Sequence, residues 1–111
     1  MTVTVKVLIP AKIAASGQTT QYVASGVTTV IDKFTATNYN TASATLSVNL
    51  ISAFGTAGNQ NLIVKTKTLQ PAETYTFPEI VGHALMDGDS ISTIASSGTA
   101  INIRCSGREI S

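Results

Sequence analysis

The chain has no tryptophan, one cysteine, one histidine and three prolines in 111 residues, and only 12% of it is charged. The lone Cys105 excludes an intramolecular disulfide and agrees with synthesis in a reducing cytosol. A single histidine and a single cysteine cannot supply the three or four ligands that a zinc site takes from such side chains. No stretch approaches the roughly 18 to 20 apolar residues of a membrane helix. The opening MTVTVKVLIPAKIAAS lacks a charged segment followed by an unbroken apolar run, so it reads as a strand and not as a secretory signal. Charge of one sign is scarce too. The net charge is +1, and the seven Lys and Arg residues are scattered, which argues against nucleic acid and anionic membrane as direct partners.

The charged fraction is about half that of an ordinary soluble domain. Polarity comes instead from Thr, Ser and Asn, giving a hydrated surface with little self-repulsion that suits packing against other subunits. The 43% of hydrophobic residues is enough for a folded core, and the length allows one domain, residues 1–111.

Those hydrophobics recur with period two. In TVTVKVLI, Val3, Val5, Val7 and Ile9 share one face and Thr2, Thr4 and Lys6 the other, a half-buried strand that Pro10 is expected to stop. ATLSVNLI repeats the pattern with Ala44, Leu46, Val48 and Leu50 opposite Thr45, Ser47 and Asn49. Two more strands meet at Ser25-Gly26. In the second the apolar frame moves from Val27 and Ile31 to Val30, Phe34 and Ala36, which predicts a bulge or a change of sheet. After the loop FGTAGNQN come LIVKTKTL, a turn at Pro71 and TYTF. SISTIAS and TAINIRCS follow, with a short hairpin expected at Gly98, and PEIVGHALM from Pro78 to Met86 allows the only helical turn. About eight short strands divided by Gly, Pro, Asn and Ser turns predict an all-β, antiparallel, jelly-roll-like sandwich or barrel.

The strongest candidate for chemistry is HALMDGDSIS, His83 to Ser92. Asp87-Gly88 is a turn dipeptide, with Leu85 and Ile91 expected to point inward on either side. A calcium loop would continue with oxygen ligands and close on a glutamate, whereas the twelfth place here is Gly98. His83 has no defined nucleophile context, and Cys105 alternates with Asn102 and Arg104 as a small core residue. The six carboxylates, Asp32, Glu73, Glu79, Asp87, Asp89 and Glu109, show no spacing that selects a catalytic pair. No catalytic, metal or cofactor residue is therefore assigned, and the chain is expected not to be an enzyme. Tyr22, Tyr39 and Tyr75 read as packing residues that would serve a sugar site only if clustered. Lys65 and Lys67 share one side of a strand, and Arg104 and Arg108 lie on or after the last one. As neighbours they would form a basic stripe toward an acidic partner or phosphates; apart, they would be solvated strand edges.

The segment LQPAETYTFPEIVGHALMDGDSISTIASSGTAINIRCSGREIS resembles the C-terminal pattern of small virion proteins of tailed bacteriophages, with its Pro/Ala/Glu turn, GHALxxGD turn and closing SGREI. In length, composition and this ending the chain looks most like the capsid decoration, cement or staple proteins of epsilon-fifteen-type short-tailed phages, the first half resembling them only in its alternation. The resemblance implies a jelly-roll-like homodimer, made in the bacterial host cytoplasm, that sits on the outer capsid surface of the virion. There it would clamp neighbouring major capsid protein subunits against internal DNA pressure, without catalysis or cofactor. On that reading Thr2, Val3, Thr4, Val5 and Lys6 offer a strand edge to a second chain, and Lys65, Lys67, Arg104 and Arg108 are further partner contacts. A tail or head-to-tail joining protein is the alternative within the same particle, and a carbohydrate-binding β module lies further off.

Overall fold

A computed structural model describes every residue from Met1 to Ser111. Nine strands form: β1 (Val3–Ile13), β2 (Thr19–Val23), β3 (Thr28–Asn38), β4 (Ala44–Ile51), β5 (Leu62–Leu69), β6 (Thr74–Tyr75), β7 (Ala84–Leu85), β8 (Ser90–Ala95) and β9 (Ile101–Ile110). They make two antiparallel sheets, one in the order β1-β9-β3-β6 with β7 also on β3, the other in the order β2-β8-β4-β5. With the two-residue β7 set aside, this winding is that of a jelly roll. The all-β sandwich expected from the alternation is the fold.

One apolar cluster fills the space between the sheets. Leu46 and Val48 of β4, Ile91 and Ala95 of β8, and Ile101, Ile103 and Cys105 of β9 are all buried in it, each on the inward parity of its strand. Phe77 anchors one side, edge-on to Phe34 with ring centroids 5.0 Å apart and to Tyr75 at 4.7 Å. The frame change in β3 is a bulge between Ile31 and Lys33. Thr29 and Ile31 point inward before it, Phe34, Ala36 and Asn38 after it, and the strand stays in its sheet.

Four expectations need correction. Pro10 does not stop β1, which runs on to Ile13, because β1 is an edge strand and Pro10 falls in an irregular stretch between the Ile9–Cys105 and Lys12–Ile103 pairs. Val3, Val5 and Val7 do not share the core face with Ile9. A bulge at Leu8 lets both Leu8 and Ile9 reach the core, and leaves the three valines on the outer parity. Gly98 is not a hairpin tip, since β8 and β9 belong to different sheets and face one another across the core. The connection is held by other strand ends, Ser96 N–H donating to Thr45 O and Tyr39 N–H to Ala100 O at 2.9 Å each. Pro78 to Met86 forms no helix. Turns close from Ile80 N–H to Phe77 O and from His83 N–H to Ile80 O, then Gly82, at φ +94°, donates to Ile31 O and leads the chain into β7.

Candidate functional site

No neighbour covers the first half of β1. Val3 to Val7 are exposed on both faces, and the second edge of the strand is unpaired. The valines are 49%, 82% and 40% exposed at positions 3, 5 and 7, which for a β-branched row in a folded strand is high. Their main-chain groups are free as well. Thr2 and Ser111 exchange both N–H···O bonds at 2.9 Å, so the hydrogen-bonded pairs continue at Thr4–Glu109 and Lys6–Gly107. Val3, Val5 and Val7 fall between them and turn N–H and C=O toward the open edge. The bulge at Leu8 and Pro10 guard the edge beyond Val7, and the Lys6 side chain is drawn onto Glu109, which leaves Val3 to Val7 as the stretch open to another strand. Of the residues expected to meet a partner, Thr2, Val3, Thr4, Val5 and Lys6 are thus brought together.

The four basic residues are not. Lys65 and Lys67 lie on β5, the edge of one sheet, while Arg104 and Arg108 lie on β9 inside the other, so no basic stripe forms. A backbone irregularity at Thr66, φ +45°, separates even the two lysines. Lys67 Nζ sits 4.3 Å from the Tyr75 ring centroid, a cation–π contact, and Lys65 lines a hollow of about 230 Å³ with Gln18, Ser47 and Asn49. Arg108 is spent on Asp32, with Nε and Nη2 each 2.9 Å from a carboxylate oxygen. Arg104 is exposed beside Thr35, Thr37 and Asn102.

A polar cluster closes the sandwich beside the free edge. The Tyr22 hydroxyl, from β2, donates to Glu109 of β9 and is 2.7 Å from Thr29 Oγ1 of β3, while Lys6 Nζ reaches the same carboxylate at 3.2 Å. Burial, and then the bond to Glu109, pushes the Tyr22 phenol up to about 12, so it keeps its proton and stays a donor. The Tyr22 hydrogen bond holds the Glu109 carboxyl below its ordinary range, with Lys6 adding to it and desolvation opposing. A folded-state pKa below the unfolded one stabilises the protein above the ordinary carboxylate pKa, and that contribution is lost as pH falls through the folded value. Glu109→Gln should therefore cost about 1 kcal/mol at pH 7. Thermal unfolding followed across pH should show the gap to the wild type closing at strongly acidic pH.

The segment His83 to Ser92 turns out to be a structural hub. Its aspartates accept backbone N–H groups from three segments: Asp87 Oδ1 from Gly26 at 2.8 Å, Asp89 Oδ1 from Ala53 at 3.0 Å and Asp89 Oδ2 from Met86 at 2.9 Å. Gly88 N–H donates to Ala24 O at 2.7 Å and Ala24 N–H to Asp89 O at 2.9 Å. Leu85 and Ile91 point into the core on either side, as the turn reading requires. His83 is exposed, and its main chain serves the adjoining turn and β3. Cys105 is buried, and desolvation raises its thiol to about 12, which makes it a packing residue. Tyr22 of β2 and Tyr75 of β6 belong to different sheets and are held by Glu109 and Glu79 respectively, so these two form no common platform.

Phe54 belongs to none of the alternating segments of the sequence. It stands three residues past the end of β4 in the β4–β5 connection, fully exposed at 108% and in the left-handed region at φ +65°. Its only signal in the sequence is an aromatic placed directly before Gly55 in an otherwise polar loop. Comparison of the chain with protein-family models, curated proteins and solved structures gives no match in any of the three.

Proposed function

We propose that this chain is a structural protein of a phage virion, one that binds the outer surface of the icosahedral capsid and staples neighbouring major capsid subunits. The observation that carries the reading is the free β1 edge, whose valines expose both side chains and main-chain groups. An edge left open at this length is a liability for a protein that works alone and an asset for one that works in an assembly. The low charged fraction of the chain, 12%, points the same way.

In this reading the edge joins two copies about a two-fold axis through Val5. Val5 then faces its own counterpart, Val3 faces Val7, and Lys6 falls opposite Thr4, so no like charges meet. The residues with free N–H and C=O groups become the hydrogen-bonded pairs. A homodimer of this kind carries two copies of every other surface feature and can bridge two shell subunits. Contacts that are individually modest resist internal pressure when symmetry repeats them at high local concentration. The reading calls for no catalytic step and no cofactor.

The copy number of this chain in purified particles tests it. Quantitative mass spectrometry against the major capsid protein should return hundreds of copies, on the order of one per capsid subunit. About a dozen copies would place the chain at the neck or tail as a joining protein. Absence from particles would end the virion reading.

A further inference from the structure

Three loops meet at one end of the sandwich: residues 24–27, 52–58 and 86–89. One carboxylate, that of Asp89, holds the backbone N–H of Ala53, next to Phe54, and that of Met86. Ala53 also lies against Gly88 so closely that a Cβ there would meet its Cβ at 2.7 Å. On this rigid base stand two of the most exposed large apolar side chains of the protein, Phe54 at 108% and Met86 at 58%. Phe54 is held in a backbone conformation that costs a bulky residue energy and is offset by no packing of its ring. Neither folding nor solubility accounts for a phenylalanine there.

We propose that Phe54, flanked by Met86, is the anchor by which this protein docks into an apolar pocket of the shell subunit, a proposal that rests on the capsid reading above. Rigid aromatic side chains on well-held loops are what interface hot spots are made of, because little entropy is lost when they insert. Charge identifies the kind of partner. The three loops contain no Lys or Arg, and Asp87 and Asp89 form no ion pair, the two ion pairs of the protein being Lys6–Glu109 and Arg108–Asp32. Bonded only to backbone N–H groups, the two carboxylates keep a net negative charge beside the apolar knob, which disfavours an anionic phospholipid surface or nucleic acid. The arrangement fits a protein pocket with an apolar floor and a Lys- or Arg-bearing rim.

Phe54→Gly separates docking from folding, since glycine tolerates φ +65° and the ring it removes packs against nothing. Its melting temperature should equal or exceed that of the wild type. Labelled wild-type, Phe54→Gly and Phe54→Tyr proteins are added to particles prepared without this chain, and bound copies are counted. The proposal expects wild-type attachment, at least tenfold weaker attachment of Phe54→Gly and near-wild-type attachment of Phe54→Tyr. In parallel, p-benzoylphenylalanine introduced in place of Phe54 should photocrosslink to the major capsid protein. If the wild type attaches and Phe54→Gly attaches equally, the anchor is wrong while the staple stands. If the wild type does not attach, the staple reading fails and takes the shell pocket with it. Crosslinks to other copies of this chain alone, or none at all, would also overturn the assignment.

Discussion

Gly107→Ala is expected to be among the most damaging single changes in this protein, lowering stability by about 3 kcal/mol in urea unfolding. Gly107 lies in β9 between β1 and β3, paired with Lys6 on one side and Ile31 on the other. A Cβ on it would come within 2.2 Å of the Val30 carbonyl oxygen and 2.8 Å of Leu8 Cδ1. The first of these is backbone of the neighbouring strand, so relief requires parting β3 from β9 at the β3 bulge. Domains of this size have only about 5 to 15 kcal/mol to lose in total. Gly17→Ala is the matching control: nothing lies within 4 Å of the position a Cβ would take, and it should change stability little. A Gly107→Ala protein as stable as the wild type would mean that β9 does not meet β3 in this register.

Val5→Lys should have the opposite profile, leaving the fold intact and removing the assembly. Val5 is 82% exposed and sits in the half of β1 that contributes nothing to the core, so stability should stay within about 0.5 kcal/mol of wild type. In the Val5-centred dimer the change sets two ammonium groups directly opposite one another in the new sheet, a standard defence of edge strands against pairing. Sedimentation should find a monomer, and attachment to particles should fall at least tenfold through lost bivalency. A Val5→Lys protein that still dimerises would move the interface elsewhere. Cutting away the whole opening strand is a poorer test, because Leu8 and Ile9 are buried in the core and a truncation through Ile9 would unfold what it is meant to probe.

The contrast between those two residues shows how far local pattern reaches. Alternation in β4 and β9 put the right side chains inward, including Cys105, because a strand buried on one side leaves a period of two in its sequence. The displaced frame of β3 announced its bulge, and Asp87-Gly88 announced its turn. β1 carries an equally regular alternation, and there the same inference fails. A period of two says that a strand has two different faces, and says nothing of which is covered. One extra residue at Leu8 reverses the assignment for everything before it.

What the chain's own sequence determined is therefore its class: one all-β domain of antiparallel strands divided by polar turns, with no stretch long and apolar enough for a membrane helix. These properties are written in composition and in contacts between near neighbours along the chain. The tertiary structure alone decided the rest. It separated β8 from β9 across the core, parted Lys65 and Lys67 from Arg104 and Arg108, left the valines of β1 in solvent and drew two distant loops against the one that carries Phe54. Each of those outcomes depends on which strands pair over long sequence separations. Pairing of that kind is settled by the joint packing of the whole core, and no single segment carries a signal for it.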